Sequence, residues 1–134
     1  MRSSELIVRT GSRSGLFDIT ADCQRFVADA GDGLLNVYVP HATAGVVIME
    51  LGVGSDEDLL AALERLLPHD DSWRHRHGSL SHGADHVLPL LVSPSVTVPV
   101  LGGRLRLGTW QSIAGLDTNV DNTTRSIMLT LVEG

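Results

Sequence analysis

The sequence predicts an α+β domain with largely antiparallel sheet, and three observations carry that reading. Strand-like and helical segments follow the order strands, helix, strands, helix, long loop and strands. Leu101-Gly102-Gly103 sits between two strand-like runs, as a hairpin turn would. Pro99 falls inside one of those runs, which places that run at an edge or a bulge. At 134 residues the chain is long enough for one domain and too short for two ordinary ones, so 1–134 is expected to be a single domain.

The elements follow in order. Segments 5–10 and 16–19 read as strands. Thr20 is positioned to cap a first helix in which Cys23, Phe26, Val27 and Ala30 recur at helical spacing, with Gly31 as its stop. After Gly31-Asp32-Gly33, segment 34–39 alternates and 44–50 is rich in Val and Ile. The second helix has Ser55 as cap, Asp56, Glu57 and Asp58 at its positive end, and one stripe of Leu59, Leu60, Leu63, Leu66 and Leu67. Pro68 prevents continuation. Segments 96–101, 105–111 and 126–132 complete a sandwich with two main helices. The 96–101 edge carries few charges and invites pairing with a second copy, so a homo-oligomer is expected.

Composition excludes several function classes. All ten basic residues are Arg, so neither a Schiff-base lysine nor the usual phosphate-loop Lys is available. Net charge is −6, and ten scattered Arg against sixteen acids give no nucleic-acid-binding face. Cys23 is the only cysteine, so no intrachain disulfide forms. Residues 1–10 lack a signal-peptide core, and the apolar stretch 87–101 is broken by Pro89, Ser93, Pro94, Ser95 and Pro99. A cytoplasmic protein without membrane partner or organic cofactor is the expectation.

Histidine is the unusual feature. His69, His75, His77, His82 and His86 crowd one segment, and His41 follows the strand before Pro40. His75 and His77 share a side if extended, and His82 and His86 share a face if helical. Imidazole is the commonest metal ligand, but no strict zinc spacing is present, and a solvated polar loop accounts equally well for any single His. Gly52-Val53-Gly54-Ser55 has a phosphate-turn look, but three carboxylates follow it and a helix cap explains it better. Glu50 ends an apolar strand as either a rim residue or a base. Trp110 beside Gln111 could bind a planar heterocycle or belong to the core. Arg104 and Arg106 could contact an anion or form a solvated face. Asp117 stands at the start of a polar connection.

Together these residues resemble the YjbQ-like family, often called secondary thiamine-phosphate synthases. The resemblance spans most of the chain. It rests on His41-Ala42-Thr43-Ala44, then Glu50, Leu67-Pro68, Trp73-Arg74-His75, His86, Gly103-Arg104-Leu105 and Gly108-Thr109-Trp110-Gln111. It implies a YjbQ-like fold, usually a homotrimer, with a pocket containing His41, His75 and His86 as ligands for a divalent metal, zinc or magnesium. It also implies His41, Glu50 and Asp117 as catalytic groups, and Thr43, Arg104, Thr109, Trp110 and Gln111 as contacts to a small phosphorylated metabolite. The implied reaction joins hydroxymethylpyrimidine diphosphate to thiazole phosphate and releases pyrophosphate, as a weak or secondary activity. The chain departs from the family pattern at 51–54, 76–84 and 117–119. His77 and His82 fall in or beside the altered segments and stay outside the expected ligand set. A non-catalytic trimeric metal- or metabolite-binding module and a metal-dependent phosphohydrolase are the alternatives.

Overall fold

The computed structural model describes all 134 residues. Alternation along its longest strand sets the architecture. In β8 (Thr124–Glu133), Arg125, Ile127, Leu129 and Leu131 are buried while the residues between them face outward. β8 pairs with β1 (Arg2–Arg9) on one side and β3 (Gly33–Tyr38) on the other. β5 (Ser95–Leu101) and the two-residue β6 (Arg104–Leu105) extend the sheet to five strands in the order β1-β8-β3-β5-β6. A second sheet has the order β2 (Gly15–Asp18), β7 (Ser112–Asp117) and β4 (Ala44–Met49). Every neighbouring pair is antiparallel.

The main core lies between the two sheets. Leu35, Val37, Val98, Val100, Ile127, Leu129 and Leu131 meet Ala44, Val46 and Ile113 there, and α1 (Thr20–Val27) adds Cys23 and Val27. Each fully buried aliphatic side chain of this kind contributes about 1.5–3 kcal/mol. The opposite face of the smaller sheet is covered too. Leu16, Val47 and Leu116 pack with Leu63 of α2 (Ser55–Leu66), Leu67, and Ala84, Leu88 and Val92 of the long connection before β5. The smaller sheet is therefore a middle layer, and the connection that holds the histidines is part of its roof. No helix is long and apolar enough to cross a membrane.

Several element boundaries differ from the sequence expectation. Thr20 is the first helical residue rather than the cap. Its backbone N–H and hydroxyl both donate to Asp18 Oδ1, and its hydroxyl accepts the Ile113 N–H at 2.8 Å. α1 stops at Val27, short of Gly31. Ser55 likewise begins α2, with Gly54 at the cap position and the Gly52 amide donating to Asp56. The expected 105–111 strand shortens to Arg104–Leu105. Gly108–Gln111 forms a turn in which the Gln111 N–H donates to the Gly108 carbonyl and the Gly108 N–H donates back to Gln111 Oε1.

β7 then appears where no strand was expected. Its residues Ser-Ile-Ala-Gly-Leu-Asp are buried from Ile113 onward on both faces, so they lack the period-two signal of a half-buried strand. Gly115 permits the packing there, since a Cβ would stand 2.2 Å from the Phe17 ring. The hairpin is as expected: Leu101 pairs with Arg104, and Gly102 and Gly103 have φ of 54° and 73°.

Candidate functional site

The connection between α2 and β5 places four imidazoles together. His75 and His77 are two residues apart on an irregular stretch, with ring centroids 4.1 Å apart. His82 and His86 stand at the two ends of a 3-10 turn, His82–His86, with rings 5.1 Å apart. His75 and His86 come within 3.8 Å centroid to centroid. The potential ligand nitrogens of His75, His77, His82 and His86 all lie within 4.8 Å of one another. A tetrahedral zinc site with bonds of about 2.0–2.1 Å needs nitrogens roughly 3.3 Å apart, so closure on an ion asks the widest pair to contract by about 1.5 Å.

Protonation in the cluster suits a cation. The Ser79 carbonyl can only accept, so the His82 Nδ1 2.7 Å from it carries the proton, and in the neutral ring Nε2 then keeps its lone pair. His75 Nε2 is buried and has no hydrogen-bond partner, an orphaned position that an ion would satisfy. Desolvation, then the neighbouring His86, His77 and His82, hold the His75 pKa below its ordinary value. Desolvation followed by His82 and His77 does the same for His86, with Asp85 opposing. Neutral imidazole is the ligating form.

A second row of contacts fixes the turn that carries His82 and His86. Buried Asp85 accepts from His69 Nε2 at 2.7 Å and from the Thr118 hydroxyl. The other ring nitrogen of His69 faces Glu64 at 2.6 Å, which ties the turn back to α2. Partial burial opposes charge on His69, but the Glu64 and Asp85 carboxylates outweigh it and raise its pKa.

A polar groove of about 300 Å³ adjoins the cluster. His41, Thr43, His77, His82, His86 and the loop residues Asn119, Asp121 and Asn122 line it. Beneath the groove, Asp117 and Arg125 are both fully buried, with Arg125 Nε 2.6 Å from Asp117 Oδ2 but its N–H off the line to that oxygen. Asp117 also accepts from the Thr43 hydroxyl at 3.2 Å and the Asn119 amide at 2.8 Å. Burial pushes the Asp117 pKa up, and the Asn119 amide, Arg125 and Thr43 pull it back. Arg125 further donates to the Asn119 carbonyl at 2.9 Å and to the Asn122 carbonyl.

His75 and His86 are thus in the cluster, together with His77 and His82. His41 stands at the groove with its Nε2 accepting the Ser126 N–H at 2.9 Å. In neutral form its proton is therefore on Nδ1. Thr43 lines the groove, and Asp117 lies buried beneath it, bound to the Thr43 hydroxyl. The remaining site candidates lie elsewhere within one chain. Glu50 is exposed just beyond Met49, which pairs with Ser112, whereas the Asp117 end of β7 pairs with Ala44. Arg104 lines a separate concavity with Gln24 and Gly103. Gly33 pairs with Val100 and Tyr38 with Ser95, so the hairpin and His41 occupy opposite ends of β3, roughly 17 Å apart along the strand. Thr109, Trp110 and Gln111 are exposed in or beside the Gly108 turn, Trp110 by 73%. Sequence reasoning missed Asp85, Asp121 and Arg125. The signals for His77 and His82 were the density of histidine in the segment and their spacing from His75 and His86.

Comparison with known proteins gives a consistent result. A family profile described as "UPF0047 protein YjbQ-like" matches residues 4–134. A UPF0047 protein of Mycobacterium tuberculosis is 58% identical over 123 residues, covering 92% of each chain. One from Archaeoglobus fulgidus is 40% identical over 128 residues, covering 95% of this chain and 99% of that protein. The crystal structure of a protein from Aeropyrum pernix superposes with TM-score 0.90 at 29% identity, covering 100% of both chains.

Proposed function

Starting from the fact that the chain belongs to the UPF0047 YjbQ-like family, we propose that it holds a zinc-type divalent ion through His75, His77, His82 and His86 and works on a small phosphorylated metabolite in the adjoining groove. The observation that carries this reading is the convergence of four imidazoles, two of them (His75 and His86) held toward the neutral form and one with an orphaned buried nitrogen. All-nitrogen ligation suits zinc and its neighbours better than magnesium, which prefers oxygen.

The reaction implied by the family resemblance is thiamine-phosphate synthesis from hydroxymethylpyrimidine diphosphate and thiazole phosphate. A bound divalent ion would supply charge neutralisation for departing pyrophosphate. The chain's own residues supply the rest. His41, oriented by the Ser126 amide, donates from Nδ1 to a substrate oxygen, so it is a donor beside the ion rather than one of its ligands. Asn119 and Asn122 bring neutral amide groups to the same groove, which otherwise has no arginine on its lining. Arg104, Thr109, Trp110 and Gln111 reach phosphate oxygens and the pyrimidine ring only from a neighbouring copy in a homotrimer. The exposed outer face of the larger sheet supports such association, with Ile7, Leu34, Tyr38, Leu101 and Val132 each about half exposed.

Metal content and synthase turnover test the proposal together. Purified without a tag, the protein should contain about one zinc-type ion per chain. His86→Ala should weaken it by at least about 100-fold while keeping the fold. Turnover of the two substrates should vanish with a chelator and return with zinc. Absence of metal uptake by the unsubstituted protein overturns the centre. Metal uptake without turnover favours the binding-module reading, which one observation independently supports: Asp117 is locked by Arg125 and Glu50 is remote from the groove, so the one carboxylate on the lining is Asp121, whose Oδ2 already accepts the Ser79 N–H.

A further inference from the structure

Asp121 is the only carboxylate lining the groove, yet it does not point at the histidines through any direct hydrogen bond. Its Oδ2 instead accepts the backbone N–H of Ser79 at 3.0 Å. Ser79 is the residue whose carbonyl receives the His82 Nδ1 proton. One peptide unit further back, a Cβ on Gly78 would stand 2.9 Å from Asp121 Oδ2 and 2.8 Å from His82 Cε1, so the loop passes between the carboxylate and the imidazole with no spare room. Asp121 is itself anchored. Its own N–H donates to Asn119 Oδ1 at 2.6 Å, and the carbonyls of Asn119 and Asn122 on either side are held by the buried Arg125 guanidinium.

We infer that Asp121 is a positioning residue for the metal centre: by holding the Ser79 N–H it fixes the Gly78–Ser79 peptide and so places the Ser79 carbonyl on the next peptide, which presents His82 as the Nδ1–H tautomer with Nε2 free to ligate. The inference rests on the four-histidine reading above and extends it to a residue on a different element, the loop between β7 and β8. The contact is made by an acceptor oxygen, so an amide oxygen in the same place keeps the hydrogen bond while removing the negative charge that also faces His82 and His77. A ligating histidine whose second nitrogen is held by an acceptor is better oriented and more basic, and loss of that contact commonly weakens metal by about 10–100-fold, so loosening the Ser79 carbonyl is expected at the lower end of that range. Asp121 is exposed, so substitution there leaves the core intact.

Two variants and two readouts test this. Asp121→Ala removes the acceptor, and Asp121→Asn keeps an amide oxygen in its place. In metal-free protein, the Ser79 amide should exchange with solvent at least about 10-fold faster in Asp121→Ala and near the original rate in Asp121→Asn. In zinc titration, Asp121→Ala should bind at least about 10-fold more weakly, while Asp121→Asn should return to within about 3-fold. Co2+ substitution should show an altered ligand-field spectrum only in Asp121→Ala. Unchanged exchange and affinity in Asp121→Ala overturn the inference, as does an Asp121→Asn variant as impaired as Asp121→Ala. If the unsubstituted protein takes up no zinc, the four-histidine centre fails, and the exchange experiment alone still decides whether Asp121 holds Ser79.

Discussion

Replacing Arg125 with methionine isolates what lies beneath the groove. Methionine fills much of the volume but removes the charge opposite Asp117, which is 1% exposed, and the donors to the Asn119 and Asn122 carbonyls. Breaking a buried pair from one side costs about 3–5 kcal/mol, because the surviving charge has no solvent to turn to. For a domain of this size each kcal/mol lowers the melting temperature by roughly 3–5 °C, so a fall of about 10–20 °C is expected. Urea denaturation with the Asp117→Asn variant and the double variant closes a thermodynamic cycle. The double variant should lose at least about 2 kcal/mol less than the sum of the singles. The Arg125→Met loss should also be smaller at pH 5 than at pH 8. Without the guanidinium, burial leaves the carboxyl protonated in the folded state up to a raised pKa, so stability falls as pH rises through it. A loss under about 1 kcal/mol, or strict additivity, would refute the account of Asp117 and Arg125 as a buried pair.

Further outcomes follow from other sites. His69→Ala should cost more stability at pH 5.5 than at pH 8.5. The folded-state pKa of His69 is raised by Glu64 and Asp85, so its contribution is complete below the unfolded value and disappears as pH rises through the folded one; denaturation at the two pH values checks the sign. Cys23 is fully buried and burial pushes its thiol up to about 12, so a disulfide reagent should leave native protein unmodified and react once per chain after denaturation. Gly115→Ala should destabilise by about 1–3 kcal/mol, read by thermal unfolding, since the Phe17 ring must move to admit the methyl group.

Much of the fold was readable because its signals are local. Alternation in β3 and the leucine stripe of α2 each report on one exposed and one covered side, and Gly102-Gly103 reports on a turn. β7 escapes detection because covering both faces erases alternation, and Trp110 reads as a strand end because an exposed aromatic at a turn looks the same in sequence as a packed one. At the site, five histidines between 69 and 86 advertised imidazole chemistry, but which four converge depends on a 3-10 turn that spacing alone does not encode. Arg125 gave no warning at all. In a strand that alternates, an arginine on the inward phase reads as a misplaced surface residue until its partner, eight positions earlier, is seen folding back to meet it.

The segment that bears the imidazoles also contributes Ala84, Leu88 and Val92 to the apolar cluster over the middle sheet, with Trp73 leaning on the same cluster and its indole N–H bound to the Pro68 carbonyl. Ligand chemistry and cohesion are thus written into one stretch of backbone. The turn that holds two of the four rings is therefore the same turn that seats Ala84 over the middle sheet, while the larger apolar compartment on the far side of that sheet takes no residue from the segment.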